Sequence, residues 1–270
     1  MKTICIDSGH IPGMNQCPCV PAYSEGREMW VLGEMLGATL RNLFDDCKVI
    51  YTRKNAYETL RDDGLDDCVE RGINARGADF FVSLHSNASN NNNCNGCNFV
   101  YVIYPYDGIN GSEAIAGNLA EAVETALYMN GVKLSPWQTA TRQGSRGEYY
   151  GVLRGARSVG VPLYFIIEHG FHTNRENAIA LLNPQTLTDI ATSEALVIGD
   201  ILHLHKREYI PGDVNGNGKI DPQDYAMLKR FLLGTFDLSE EQIARGDADC
   251  DGHITPKDYA IIKRKYLGTL

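Results

Sequence analysis

The sequence predicts two folds in series, an α/β domain over residues 1–208 and a small all-α domain over residues 209–270. Short apolar segments that alternate with longer segments of helical periodicity predict the first fold, a mixed, largely parallel sheet flanked by helices. A repeat predicts the second fold, because DVNGNGKIDPQD at 213–224 returns as DADCDGHITPKD at 247–258, and an apolar-periodic segment follows each copy. A Pro-Gly pair at 211–212 separates the two folds.

Each element of the first fold follows from its pattern of apolar residues. Short apolar runs bounded by glycine or polar residues indicate buried strands, which are predicted at 2–9, 47–53, 79–87, 98–105 and 161–171. Apolar residues at helical spacing predict helices at 25–44, 58–77, 112–131 and 184–206. The third of these helices ends at Gly131, because glycine readily takes the backbone conformation that closes a helix.

The composition bounds the class of protein. A chain of 270 residues with 43% hydrophobic residues can bury a sizeable core, and no apolar run is long enough for a membrane helix. The formal net charge is −9, which argues against nucleic acid as a partner. We therefore expect a globular protein without a membrane span and without a nucleic-acid ligand.

Three predicted strands end near a residue that can bind a metal or move a proton, namely His10, His85 and Glu168. Glu25 supplies a fourth such residue at the start of the first predicted helix. Because sites in α/β proteins form at the carboxyl ends of strands, these four side chains are expected to meet. Two histidines and one carboxylate can hold a catalytic zinc ion with one open position, and a further carboxylate can carry a proton to a leaving nitrogen. The set therefore predicts hydrolysis of an amide.

The same residues lie in motifs that resemble a known family. In order along residues 3–200, the segments IDSGH, SEGRE, RGINARGADFFVSLHSNAS and VPLYFIIEHGFHTN resemble those of zinc-dependent N-acetylmuramoyl-L-alanine amidases. The resemblance implies one Zn²⁺ held by His10, Glu25 and His85, with Glu168 as the catalytic carboxylate.

Some positions near these motifs leave alternatives open. Glu28 lies one helical turn after Glu25 and is an alternative zinc ligand. His169 is expected either to reach the pocket or to face away from it. Asn87 and Asn174 occupy motif positions that are expected to order the loops around the metal. The remaining histidines are expected on the surface: His172, His203, His205 and His253.

Eight cysteines leave the redox chemistry of the chain open. Two pairs follow the first and third predicted strands and are expected at the rim of the pocket: Cys17 with Cys19, and Cys94 with Cys97. One or two disulfides, a structural zinc on four thiolates, and free thiols are the three alternatives for them. Cys47 and Cys68 are a further candidate disulfide, whereas Cys5 is expected to be a buried free thiol.

The repeated segments have the spacing of calcium loops. Each carries oxygen side chains at positions 1, 3, 5, 9 and 12, and a glycine at position 6, where the chain must turn sharply. Two Ca²⁺ are therefore predicted. The ligands of the first are Asp213, Asn215, Asn217, the carbonyl of Lys219, Asp221 and Asp224, and those of the second are Asp247, Asp249, Asp251, the carbonyl of His253, Thr255 and Asp258.

Over residues 212–270 the repeat resembles a dockerin, a calcium-dependent module that binds cohesin domains on a cellulosome scaffold. The resemblance implies recognition of the partner by loop positions 10–11 and helix positions 17–18 of each copy. These are Pro222, Gln223, Lys229 and Arg230 in the first copy, and Pro256, Lys257, Lys263 and Arg264 in the second. The alternative is a calcium-stabilised domain that binds no partner, since a unit this small needs such stabilisation. The repeated Lys-Arg pairs favour recognition.

Together the two resemblances imply a scaffold-anchored enzyme that cleaves the N-acetylmuramoyl–L-Ala amide bond of peptidoglycan. The alternatives are a metal-dependent deacetylase or esterase acting on polysaccharide, and a catalytically silent module that binds the cell wall. Arg142 and Arg146 are expected either to face the carboxylates of a peptide stem or to be solvated loop charges. No signal peptide precedes the first strand, so the protein is expected to be cytoplasmic or to lack its signal, and the calcium loops favour a secreted or cell-surface location.

Overall fold

The computed structural model divides the chain into two compact units. The first unit comprises Met1–Leu40 and Asp46–Leu204, and the second comprises Arg41–Asp45 and His205–Leu270. The predicted domain boundary at residue 208 stays a prediction. The residues that the structure describes are 1–60, 67–89, 94–145 and 147–268.

A six-stranded sheet forms the centre of the first unit, in the order β4-β1-β5-β10-β6-β7. The described strands of the first unit, in chain order, are β1 (Lys2–Ser8), β2 (Gln16–Cys17), β3 (Val20–Ser24), β4 (Cys47–Tyr51), β5 (Phe80–Asn87), β6 (Tyr101–Ile103), β7 (Gln138–Ala140), β8 (Gln143–Gly144), β9 (Gly147–Glu148) and β10 (Tyr164–Phe171). Six of them form the central sheet, whereas β2 pairs with β3 and β8 pairs with β9 in two separate two-stranded sheets. Strands β4, β1, β5 and β10 run parallel to one another, whereas β6 pairs with β10 in the antiparallel direction. The prediction of a mixed, largely parallel sheet is confirmed.

The described helices of the first unit are α1 (Glu25–Leu43), α2 (Asp67–Ile73), α3 (Ser112–Met129), α4 (Gly151–Ser158), α5 (Arg175–Leu181) and α6 (Pro184–Ile201). The helix predicted at 58–77 is observed only as α2, with residues 61–66 outside the described part of the chain. The helix predicted at 184–206 ends earlier, because His203 takes a left-handed backbone conformation with φ 53°. Helices α4 and α5 were not predicted.

One face of the sheet positions the candidate site. Side chains alternate between the two faces of a strand, so Ile166 and Glu168 lie on the same face of β10. Near the middle of the sheet this face is apolar and packs against helix α4 through Leu153 and Ala156. Helix α2 approaches α4 so closely that a Cβ on Gly72 would lie 2.1 Å from the carbonyl oxygen of Val152. Polar residues replace the apolar ones only towards the carboxyl ends of the strands.

A buried ion pair lies on the same face, beneath that carboxyl end. Asp7 on β1 accepts hydrogen bonds from the Arg71 Nε at 2.9 Å, the Thr52 hydroxyl at 2.6 Å and the Ser83 hydroxyl at 2.6 Å. Burial by itself raises the pKa of Asp7, but the charge of Arg71 and the two hydroxyl hydrogen bonds lower it below its usual value. Asp7 is therefore held as a carboxylate that links β1 to α2 and β5.

The second unit contains three described helices, α7 (Pro222–Leu232), α8 (Glu240–Gly246) and α9 (Pro256–Leu267). Each of the two repeat helices, α7 and α9, begins with a proline after a capping residue, Asp221 or Thr255. Their apolar faces share a small core that includes Leu228 and Ile262. The rings of Tyr225 and Tyr259, at equivalent places in the two copies, stack with centroids 4.5 Å apart. Among the described helices of the chain, none combines the length and the apolar character needed to cross a membrane.

Candidate metal centre

The three predicted zinc ligands converge at the carboxyl end of the sheet. One ligand atom each from His10, Glu25 and His85 lies within 4.8 Å of the others. His85 Nδ1 is 3.0 Å from Glu25 Oε1, and His10 Nε2 is 3.5 Å from Glu25 Oε2. The two imidazole rings meet edge to face with centroids 5.1 Å apart. Tetrahedral ligands about 2.1 Å from a zinc ion lie roughly 3.4 Å from one another, so this donor set fits the ion.

The turn after β1 aims His10 at the centre. His10 has a left-handed backbone conformation with φ 60°, which is unusual for a residue with a side chain. Arg53 holds this turn, because its Nη2 donates to the carbonyls of Ser8 at 2.5 Å and His10 at 2.7 Å. Gly9 is required here, since a Cβ at this position would lie 2.3 Å from the His85 ring. The absence of a side chain at position 9 therefore lets the His85 ring pack against the turn that carries His10.

Glu25 is buried at the first position of α1 and is held by donors on both oxygens. Oε1 accepts from the Ser86 backbone N–H at 2.9 Å, and Oε2 accepts from Asn15 Nδ2 at 2.6 Å. Burial by itself raises the pKa of Glu25, but the hydrogen bond and charge of His85 and the charge of His10 lower it to about 2. Glu25 is therefore held as a carboxylate near neutral pH, which is the form that binds a metal.

Glu28, the alternative ligand, lies apart from this group. Its carboxylate forms an ion pair with Arg27, the neighbouring residue on α1, and it is absent from the cluster of ligand atoms around His10 and His85. Burial raises the pKa of Glu28, and Arg27 opposes this rise. The geometry therefore favours Glu25 over Glu28.

Glu168 lies beside the cluster. In the parallel pairing of β5 with β10, Glu168 is the cross-strand partner of His85. Its Oε2 is buried without a hydrogen-bond partner among the described residues. Burial raises its pKa to about 7, with the charge of Glu25 adding to the rise and that of His85 opposing it. A buried carboxyl oxygen without a partner is costly, so this atom is placed to receive a proton or a polar group of a ligand.

The structure corrects the prediction that His172 lies on the surface. Its ring is buried, with Nδ1 2.9 Å from the Ser86 carbonyl and 3.9 Å from Glu25 Oε2. Tyr23 stacks on the ring and donates to the Ser86 hydroxyl at 2.7 Å. His172 follows directly after the buried strand that carries Glu168, and this position was the sequence signal for its burial. His203, His205 and His253 are exposed, as predicted.

His169 points away from the metal ligands towards helix α6. Its Nε2 is 2.9 Å from Oε1 of Glu194, and its Nδ1 is 2.9 Å from the backbone carbonyl of His85. Both side chains of the pair are fully buried. Of the two expectations for His169, the structure supports the one in which it faces away from the pocket. From there its ring bonds to the backbone carbonyl of His85.

A disulfide between Cys19 and Cys94 closes the rim of the centre, with the Cα atoms 6.1 Å apart. Cys17 and Cys97 are free thiols, so a structural zinc on four rim thiolates is wrong, and a second rim disulfide is not formed. Arg175 strengthens the rim, since its Nη1 donates to the Cys19 carbonyl at 3.1 Å.

The other cysteines also have defined states. Cys47 and Cys68 do not form the predicted bridge, and the Cys47 Sγ instead lies 3.5 Å from the Leu40 carbonyl. Cys5 is a buried free thiol whose pKa is raised by burial.

Two asparagines order the loops near the centre. Asn174 is the N-cap of α5, where its Oδ1 accepts from the N–H groups of Glu176 at 3.0 Å and Asn177 at 3.3 Å. Its Nδ2 donates to the Gly96 carbonyl at 3.4 Å, which ties the loop after β5 to this helix. Asn87 Oδ1 accepts from the Ala88 N–H at 2.8 Å.

The two calcium-type loops of the second unit share one internal frame. In the first loop, the carboxylate of Asp213 accepts from the Gly218 N–H at 2.8 Å, and Asp224 accepts from the Asp221 N–H at 2.7 Å. The second loop repeats both bonds, from Gly252 to Asp247 at 2.8 Å and from Thr255 to Asp258 at 2.7 Å. The remaining predicted ligands lie around this frame, namely Asn215, Asn217 and Lys219 in the first loop and Asp249, Asp251 and His253 in the second.

The second loop brings acidic groups together most closely. One carboxylate oxygen each from Asp247, Asp249 and Asp258 lies within 4.8 Å of the others. Like charges at such distances repel unless a cation joins them, and burial raises the pKa of Asp247 while Asp258 and Asp249 add to the rise. Carboxylate oxygens are the ligands that Ca²⁺ prefers.

All eight predicted recognition residues are exposed: Pro222, Gln223, Lys229, Arg230, Pro256, Lys257, Lys263 and Arg264. The guanidinium carbon of Arg230 lies 4.7 Å from the centre of the Phe236 ring, and Lys257 pairs with Asp249 at 2.6 Å.

The fold is shared with solved structures of other proteins. The chain is similar in structure to the catalytic domain of CwlV, an N-acetylmuramoyl-L-alanine amidase from Bacillus (Paenibacillus) polymyxa, with a TM-score of 0.58 and 19% identity over 76% of this chain and 100% of that one. It is also similar to an N-acetylmuramoyl-L-alanine amidase from Clostridium difficile 630, with a TM-score of 0.59 and 20% identity over 75% of this chain and 97% of that one. The likeness extends to the amidase AmiC2 of Nostoc punctiforme, with a TM-score of 0.51 and 20% identity over 75% of this chain and 97% of that one.

The N-acetylmuramoyl-L-alanine amidase family matches residues 4–199, and the chain belongs to this family. Residues 211–267 match the dockerin type I domain, so a dockerin follows the amidase domain. No curated protein matches the chain.

Proposed function

We propose that the first unit is a zinc-dependent hydrolase that cleaves the amide bond between the lactyl group of N-acetylmuramic acid and L-alanine in peptidoglycan. His10, Glu25 and His85 hold the zinc ion, and Glu168 is the catalytic carboxylate. The observation that carries the proposal is the convergence of these three ligand atoms within 4.8 Å, with Glu168 on the adjacent strand. Membership of the amidase family supports the choice of bond.

The residues of the chain have separate roles in the proposed reaction, namely proton transfer and the positioning of the metal ligands. Bound zinc supplies a Lewis acid and an acidified water. Glu168 takes the proton of the attacking water and hands it to the leaving nitrogen, for which a pKa of about 7 suits it because the group can then both accept and donate near neutral pH. Arg53 and Gly9 keep His10 in place, and Ser86 and Asn15 keep Glu25 in place. A preorganised ligand set avoids reorganisation during the reaction.

The test of the activity is incubation of purified muropeptides with the full-length protein and zinc, followed by chromatography for free stem peptide. We expect release of a peptide with a new L-alanine amino terminus, loss of release in excess chelator, and recovery on adding zinc. Glu168→Gln should bind zinc but release little peptide. Absence of peptide from the wild-type reaction, together with acetate release from acetylated xylan, would replace this proposal with the esterase alternative. Absence of both products would support a silent wall-binding module.

We also propose that the second unit binds two Ca²⁺ and attaches the enzyme to a cohesin domain of a cellulosome-type scaffold, which places the protein outside the cell or on its surface. The shared frame of the two loops supports calcium binding, and the exposed Lys-Arg pairs at equivalent helix positions support recognition. Titration calorimetry with a cohesin is expected to show binding in calcium and none in chelator. Reversing the charges of Lys229, Arg230, Lys263 and Arg264 should weaken it, and an unchanged affinity would refute this interface.

A further inference from the structure

We propose that Arg142 binds the carboxylate of the second residue of the peptide stem and thereby makes the enzyme selective for substrates in which that carboxylate is free. The inference rests on the proposed amidase activity and extends it to the recognition of the substrate. It starts from strand β6, which lies on the far side of Glu168 from His85.

A continuous row of cross-strand neighbours leads from His85 at the metal centre to Tyr101 on β6. His85 on β5 pairs with Glu168 on β10, and Glu168 pairs in turn with Tyr101 on β6. Neighbouring strands lie about 4.8 Å apart, and directly paired residues put their side chains on the same face. A ligand that reacts between His85 and Glu168 therefore extends over Tyr101 if it follows the row.

The row continues from Tyr101 to Gln138 on β7, and a second, two-stranded sheet follows β7 in the chain. The hairpin of β8 and β9 connects β7 to helix α4, and Tyr150 is the residue just before α4 begins. The side chains of Tyr101 and Tyr150 pack against the same core cluster. Burial raises the pKa of both phenols, and in both cases the charge of Arg142 opposes the rise while the charge of Glu168 adds to it. Both phenols therefore lie within the electrostatic reach of the catalytic carboxylate and of Arg142.

The side chain of Arg142 is oriented by a hydrogen bond to the Tyr150 side chain and by stacking on the Tyr149 ring. Its guanidinium carbon lies 3.5 Å from the centre of the Tyr149 ring, and a backbone hydrogen bond of 3.0 Å from Tyr149 N–H to the Arg142 carbonyl fixes the pair. Stacking occupies the face of the guanidinium group and the hydrogen bond to Tyr150 uses part of its edge, so a carboxylate would be bound by the remaining N–H groups in the plane. The side chain is exposed, so a ligand can reach it.

The space beside Arg142 is positively charged. An open pocket of about 450 Å³ is lined by Arg142, Ser145, Tyr149 and Arg154, among others. The one described acid in its lining, Glu148, is turned into the protein, where it accepts from the Tyr164 hydroxyl at 3.2 Å, and burial raises its pKa. Arg154 Nη1 donates to the carbonyls of Glu148 and Tyr149 at 3.1 and 2.6 Å, so the charge of Arg154 adds to that of Arg142 in a pocket that suits a carboxylate.

The spacing of the substrate matches this arrangement. An extended chain spans about 3.5 Å per residue, so the α-carboxylate of the residue after L-alanine lies roughly 7 Å from the scissile carbonyl. This distance carries a ligand from the position between His85 and Glu168 past the neighbouring strand to the region of Tyr101 and Tyr150. In peptidoglycan stems this second residue is isoglutamate, with a free carboxylate, or isoglutamine, with a neutral amide. Arg142 can distinguish the two, because only the carboxylate forms a charge-assisted pair.

The test compares two synthetic substrates, N-acetylmuramoyl-L-Ala-D-isoglutamate and its D-isoglutamine counterpart, with the full-length wild-type enzyme and zinc. We expect kcat/KM to be roughly tenfold to a hundredfold higher for the acid, as for a charge-assisted hydrogen bond that the amide cannot make. Arg142→Gln should abolish this preference mainly by lowering the rate on the acid, and Arg142→Lys should restore part of it. Arg76→Gln, at an exposed position away from the site, is the matched control and should keep the preference.

A binding measurement separates this inference from the proposed activity. Titration calorimetry with the peptides L-Ala-D-isoglutamate and L-Ala-D-isoglutamine should show tighter binding of the acid by wild type and equal binding by Arg142→Gln. If the acid binds preferentially but neither substrate is cleaved, the selectivity holds and the proposed activity falls. If both substrates are cleaved equally well by wild type, or if Arg142→Gln keeps the preference, the role of Arg142 is refuted while the amidase activity stands.

Discussion

Replacement of Glu25 by alanine provides the sharpest test of the metal centre, because the chain offers its own matched control one helical turn away. Glu25→Ala removes a carboxylate that contacts both His10 and His85, at 3.5 and 3.0 Å. Glu28→Ala removes a carboxylate on the same helix that pairs with Arg27 instead. Both residues are buried acids, so the two variants differ mainly in their relation to the histidines.

The size of the effect follows from the number of ligands. Zinc sites bind with about 10–16 kcal/mol shared over four ligands, so one protein ligand contributes about 3 kcal/mol, which is a factor of roughly a hundred or more in affinity. We expect Glu25→Ala to weaken zinc by at least this factor and Glu28→Ala to change it less than tenfold. The measurement is competition with a chromophoric chelator, on variants whose circular dichroism shows that they are folded. A Glu28→Ala protein that loses zinc while Glu25→Ala retains it would overturn the proposed ligand set.

Three further predictions concern the chemistry and the stability of the first unit. Glu168→Gln is expected to lower kcat/KM by about 10²–10⁴-fold with zinc affinity within a few-fold of wild type, since it removes the proton carrier and no ligand; a parallel loss of zinc would contradict the assignment. Asp7→Ala should destabilise the protein by about 3 kcal/mol in thermal or urea unfolding, because it removes the fully buried partner of Arg71 and leaves only the ion pair with the less buried Asp67 among the described contacts of that charge. Since folding lowers the pKa of Asp7, its stabilisation is complete above the usual value of about 3.9 and is lost as the pH falls through the lower native value, and wild type should show this loss where Asp7→Ala does not. Replacing both Cys19 and Cys94 by serine should cost about 4 kcal/mol of stability, because the bridge joins residues 75 positions apart, and an unchanged unfolding midpoint would show that the bridge is not formed in solution.

The elements that the sequence predicted well are those with a strong period and a clear stop. The buried strands β1, β5 and β10 have continuous apolar runs, and α1 and α3 have long helical periods, so each was found with nearly its observed bounds. The segments that were missed are short. Strands β7, β8 and β9 have two or three residues each, and such pieces have no period to detect.

The residues of the candidate site also fall into two groups. Some could be predicted from their local sequence, and the others depend on contacts between distant segments of the chain. His10, His85 and Glu168 could be proposed because each ends a predicted strand, and strand ends meet at one edge of an α/β sheet. Whether Glu25 or Glu28 faces the histidines depends on the rotation of α1 about its axis, which the order of residues on the helix does not specify. The burial of His172 likewise depends on the contact of its ring with Tyr23, 149 positions earlier in the chain, although the two were never neighbours in sequence.

The sequence by itself determined the alternation of strands and helices, the calcium-type loops and the residue types that a hydrolytic metal centre requires, because these follow from local periodicity and from fixed spacing within short segments. Only the tertiary structure decided which cysteines pair, which glutamate joins the two histidines, and that the Arg142 side chain bonds to Tyr150, which packs against the same core cluster as Tyr101. Most of these relations join residues separated by tens of positions, and they are set by strand register and helix packing, which depend on the burial of the whole core at once.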